Sequence, residues 1–180
     1  MNQKIKELSE DYVSRITKEF KEKEFITVLY GSAADGTVDS DFDVCTFFHD
    51  YTENDAEKTG KITFDFHKDN NMKIDNEVPF ENKTIYSFFD IEKMFLKPPF
   101  PIYRNKFYIP QIEKNNDFLA SYDVKIRLLL FVLTANSIVI SGNERTFNDY
   151  RERAWETLIR VLYSYIGNEY LSVEQFIKNI

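Results

Sequence analysis

Two short runs of β-branched and aromatic residues, Phe25–Tyr30 (FITVLY) and Asp43–Phe48 (DVCTFF), do most to constrain the fold of this chain. Each reads as a strand. Between them, Gly31–Ser40 holds two glycines, two serines and two aspartates. That segment reads as a loop, longer than a tight two-residue hairpin turn. A short helix over Ser32–Asp35 fits inside it. Upstream, Ile5, Leu8, Tyr12, Ile16 and Phe20 recur at helical spacing and predict an amphipathic helix over 3–23.

Further along, Asp55–Asn70 reads as a helix stopped by Asp69, Asn70 and Asn71, although the alternation in Lys61–Phe66 also allows a strand. Met72–Val78 alternates and predicts a strand ended by Pro79, and Lys83–Phe89 allows another short one. Four of the five prolines fall in residues 92–114. No regular element is expected to survive Pro98, Pro99, Pro101 and Pro110. Asp117–Ile140 then reads as a buried helix ending at Gly142. Asn148–Ile166 reads as an amphipathic helix with Trp155 inward, and Ser172 opens a last short one. The expected organisation is an α+β fold. A small mixed-sheet core spans 1–91, a proline- and aromatic-rich connector 92–116, and a helical region 117–180.

The strand starting at Asp43 raises a chemical question. Asp41 and Asp43 flank Phe42, and alternate side chains of a strand share a face. Two carboxylates held together repel unless a cation lies between them. Hard cations such as Mg²⁺ favour carboxylate oxygens. Gly31 would let a phosphate approach the backbone closely, and Ser32 adds a hydroxyl and an N–H.

Gly31-Ser32, eight intervening residues, then Asp41-Phe42-Asp43, with Tyr30 and Val44 as flanking apolar or aromatic positions, resembles the signature of the polymerase-β-like nucleotidyltransferase superfamily. The resemblance covers about fifteen residues, or about fifty with a third acid. It implies two Mg²⁺ ions (or Mn²⁺) held by Asp41 and Asp43, and a nucleoside triphosphate whose phosphates sit at Gly31 and Ser32. It also implies a third acid on a neighbouring strand, which completes a metal site and helps deprotonate the acceptor. Asp75 fits that place best, Glu77 is the reserve, and Asp65 is the rival if residues 61–66 are a strand. Related enzymes place a serine and a lysine early in the following helix to hold the triphosphate. Ser121 and Lys125 sit one turn apart there, beside Tyr122.

Other residues read more simply. Lys83 and Arg104 could meet phosphate. Phe100, Tyr103, Phe107 and Tyr108 could stack a base, but fit better as glue between connector and core. His49 and His67 lack zinc spacing and read as structural. Cys45 reads as a buried thiol.

The net charge of −7 argues against a long nucleic-acid acceptor or an anionic membrane as partner. A small-molecule acceptor is the first expectation and a protein acceptor, as in antitoxin-type relatives, the second. A catalytically degenerate binding module is the non-enzyme alternative. One cysteine, a polar N-terminus and no long apolar run predict a cytoplasmic setting.

Overall fold

The computed structural model describes residues 2–37, 42–74, 79–96, 102–103, 106–107 and 121–166. Helix α1 (Gln3–Glu19) is capped by Asn2, whose side chain accepts from the Ile5 N–H, and it buries Ile5, Leu8, Tyr12 and Ile16. Strand β1 (Phe25–Tyr30) runs straight into a four-residue helix α2 (Gly31–Ala34). Strand β2 (Val44–Phe48) pairs antiparallel with β1, Leu29 opposite Val44 and Phe25 opposite Phe48.

The ambiguous segment after β2 is helix α3 (Glu53–Asp69). Thr52 and Asp55 form a reciprocal capping box at its start. Asn71, at φ 53°, ends it, with the Met72 N–H on the His67 carbonyl and the Asn71 N–H on that of Lys68. This is the Schellman arrangement, and the asparagines supply its left-handed residue. The strand expected over 72–78 does not form over 72–74, and 75–78 lie outside the described residues. A short helix α4 (Phe80–Lys83) comes next, followed by strand β3 (Ile85–Ser87), parallel to β2 with Thr46 opposite Ile85.

Helix α5 (Phe88–Leu96) extends into the connector, which also holds a two-stranded pairing of β4 (Ile102–Tyr103) with β5 (Lys106–Phe107). The long helix expected up to Ile140 is shorter. Helix α6 (Ser121–Thr134) stops, and Ser137–Ser141 is strand β6, antiparallel to β1. The β-branched run Ile138-Val139-Ile140 finds an open strand edge on β1, and pairing there outweighs continuation of the helix. Helix α7 (Glu144–Ile166) closes the described chain.

The mixed sheet has the order β3-β2-β1-β6. Its alternating side chains feed two cores. Val28, Tyr30, Cys45, Phe47 and Tyr86 pack with residues of α5, α6 and α7 on one face. Leu29, Val44, Phe48 and Ile85 pack with residues of α1 and α3 on the other. Full burial of each large apolar side chain is worth about 1.5–3 kcal/mol. The sheet therefore holds the end of β1 and the start of β2 rigidly side by side.

Candidate active site

That junction is where the glycine, serine and aspartate meet. Gly31 opens α2 with φ +62°, a left-handed conformation that glycine adopts without penalty. A Cβ at Gly31 would stand 2.5 Å from Asp43 Oδ2 and 3.3 Å from its Cγ. The Asp43 carboxylate therefore lies against the bare Cα of Gly31. The Tyr30 N–H donates to the Asp43 carbonyl at 3.0 Å, so the backbones are locked beside this contact. Asp43 is half-buried, and Phe42 before it is buried completely. Burial, and secondarily the Asp43 charge, pushes the Tyr30 hydroxyl and the Cys45 thiol up, so both are neutral neighbours of the carboxylate.

The turn after α2 is tied from several sides. The Ser32 carbonyl accepts from the Asp35 N–H at 3.1 Å, the Thr37 N–H at 3.0 Å and the Thr37 hydroxyl at 3.1 Å. Asn136, just before β6, donates to Asp35 Oδ1 at 2.6 Å, and Asn2 donates to the Gly36 carbonyl at 2.9 Å.

Gly31, Ser32 and Asp43 are thus brought together. Asp41, Asp75 and Glu77 lie outside the described residues, as does Arg104. Asp65 sits on α3, not on a strand, and pairs with Lys61 at 3.0 Å across one turn of that helix. It cannot be the strand acid. Strand β3, the neighbour of β2, carries Ile85, Tyr86 and Ser87 and no carboxylate. Lys83 lies in α4 with its ammonium 4.8 Å from the Phe80 ring centroid. Among the described residues no three His, Cys, Asp or Glu side chains converge to hold a metal. Asp43 is a fitting hard-oxygen donor for one.

Lys125 packs among aromatic rings. Its ammonium donates to the Tyr51 hydroxyl and lies 4.4 Å from the Tyr51 ring and 5.6 Å from the Tyr86 ring. Tyr86 stands opposite Phe47, four residues along β2 from Asp43, or ~13 Å at about 3.3 Å per residue. Burial pushes the Lys125 ammonium down, with the Asp90 charge opposing it. Ser121 begins α6. Asp90, which the sequence reading passed over, is buried and forms a reciprocal box with Ser87: its Oδ2 accepts from the Ser87 N–H at 2.8 Å, and its N–H donates to Ser87 Oγ at 3.0 Å. Ser87-x-x-Asp90 is a legible capping signature.

No family model matches the chain, and neither curated proteins nor solved structures give a match. Among the described residues no helix is long and apolar enough to cross a membrane.

Proposed function

We propose that the chain is a metal-dependent nucleotidyltransferase that transfers a nucleoside monophosphate from a nucleoside triphosphate to a small-molecule acceptor in the cytoplasm. The observation that carries this reading is the contact of the Asp43 carboxylate with the bare Cα of Gly31, at the strand–helix junction preceding Ser32. It joins a phosphate-approach point and a hard-metal ligand in one rigid corner, in the order that the Gly-Ser…Asp-x-Asp resemblance requires.

In this reading Asp41 and Asp43 hold the Mg²⁺ ions, and the Gly31-Ser32 backbone and hydroxyl receive the β- and γ-phosphates. Bound metal would supply charge neutralisation between attacking and leaving oxygens. The acceptor's lone pair forms a new bond to the α-phosphorus. The bond from that phosphorus to the bridging oxygen breaks, and pyrophosphate leaves with the electron pair. Asp75 takes the acceptor's proton. A second reading, a nucleotide-binding module without transfer activity, is favoured by the lack of a carboxylate on β3.

Thermal melting with ATP, GTP, CTP or UTP, with and without Mg²⁺, tests the site. A ligand that binds only the folded state raises its melting point. The expected result is a Mg²⁺-dependent shift for at least one nucleotide, absent in the Asp41→Asn/Asp43→Asn double variant. No shift with any nucleotide refutes the site. A shift without release of pyrophosphate across a panel of hydroxyl and amine acceptors selects the binding module.

A further inference from the structure

The peptide between the two signature aspartates needs a hydrogen-bond partner that the sheet does not provide. Along a strand, alternate N–H groups point to the same neighbour. The Thr46 N–H donates to the Thr84 carbonyl on the β3 side at 2.8 Å. Phe42, four residues earlier, therefore turns its N–H to that side as well. By then β3 has not begun, because it starts at Ile85 opposite Thr46 and the preceding residues form α4. A buried N–H left without a partner destabilises the fold, because it gives up its bond to water and gains none in return.

His67 supplies the partner. Its Nε2 accepts the Phe42 N–H at 3.4 Å, and its Nδ1 lies 2.8 Å from the Thr63 carbonyl one turn earlier in α3. A carbonyl can only accept, so Nδ1 carries the proton and Nε2 keeps its lone pair for Phe42. The imidazole is buried, with the Phe80 ring centroid 5.0 Å away and that of Phe66 5.8 Å away. Phe66 also packs on Phe42 at 5.3 Å. Side chain and backbone of Phe42 are thus both anchored to one helix turn.

We propose that His67 is a positioning residue for Asp43: by holding the Phe42 peptide through Nε2 it sets where the adjoining carboxylate points. The metal-binding role of Asp43 rests on the nucleotidyltransferase reading; the hold on the peptide does not.

Three variants separate the two nitrogens. His67→Gln can place an acceptor near the Nε2 position. His67→Asn reaches only the Nδ1 position. His67→Phe keeps the ring and loses both. Two readouts are taken on the full chain: Mn²⁺ affinity in the presence of ATP, GTP, CTP or UTP, and NMR hydrogen exchange of the Phe42 amide measured against that of Tyr30. Loss of an outer hydrogen bond to a metal site costs about 10–100-fold in metal affinity. The Asn and Phe variants are expected to lose that much and to exchange the Phe42 amide faster, with Tyr30 unchanged. Gln is expected to stay within a few-fold of the parent on both. Equal behaviour of Gln and Asn overturns the proposal, and that pair decides should the Phe variant not fold. If the parent chain binds no Mn²⁺–nucleotide, the nucleotidyltransferase reading has failed. The Phe42 amide then judges His67 alone: faster exchange in Asn than in Gln upholds the positioning, and equal exchange overturns it.

Discussion

Gly31→Ala separates the two demands that the candidate site makes on one residue. At φ +62° an alanine pays about 1–2 kcal/mol for the left-handed backbone. Its Cβ also falls 2.5 Å from Asp43 Oδ2, closer than any tolerated contact. The atom it meets is the end of a side chain, so the carboxylate can rotate away without moving the sheet. The stability loss should therefore stay near the backbone term, while the carboxylate leaves its place. Gly36→Ala is the control. It carries φ +93° but meets nothing within 4 Å, so it suffers a comparable backbone penalty of about 1–3 kcal/mol and leaves Asp43 untouched. For a chain of this length 1 kcal/mol corresponds to about 2–4 °C in Tm. Urea denaturation should show similar losses for the two variants, and thermal melting with Mg²⁺ and nucleotide should show a ligand shift only for Gly36→Ala. A Gly31→Ala protein that keeps the parent's metal-dependent shift would refute the argument that this glycine exists to seat the aspartate.

Other perturbations follow from the same geometry. Gly60 lies inside α3, where alanine ordinarily gains about 1 kcal/mol. Here its Cβ would stand 2.7 Å from the Glu81 backbone nitrogen, so Gly60→Ala should instead lose about 1–3 kcal/mol on denaturation. Asp55 is desolvated, which pushes its carboxyl up, but Lys23 and the Thr52 hydrogen bonds together hold it below the usual range. A depressed carboxylate stabilises above its unfolded pKa and loses that contribution as pH falls through the folded one. Asp55→Asn should therefore cost about 1 kcal/mol at pH 7 and converge on the parent in acid, as denaturation at stepped pH would show. Lys125 has its ammonium pushed down by burial, so parent stability should rise with pH as the solution approaches the ordinary lysine range. Lys125→Met should remove that rise and gain on the order of 1 kcal/mol at neutral pH. With its ammonium engaged by Tyr51, the change should leave nucleotide binding in place.

Local patterns carried much of this fold. The period-3.6 spacing of Ile5, Leu8, Tyr12 and Ile16 and the β-rich runs around the Gly-Ser loop each needed only neighbours in sequence, and each element formed. Where pairing partners come from afar, local reading failed. Ile138-Val139-Ile140 looked like the tail of a buried helix because nothing nearby announces that β1 has a free edge. The third sheet position was legible in part: Lys83–Phe89 allows the strand that forms at Ile85–Ser87, while Met72–Val78, which alternates better, forms none over 72–74.

That crossover bears directly on the candidate site. Because β3 begins only opposite Thr46, Phe42 and Asp43 have, among the described residues, a strand neighbour on one side alone, at Tyr30. The other side must be held by something else, and α3 runs there. His67 looked structural in the sequence because it has no metal-ligand spacing. Its structural duty, an acceptor for the Phe42 N–H, falls between the two aspartates. A residue can be core by burial and still hold the backbone of a candidate site, and only the register of a strand that starts 43 residues after Phe42, at Ile85, reveals it; that is far beyond the three or four residues over which helical or strand periodicity speaks.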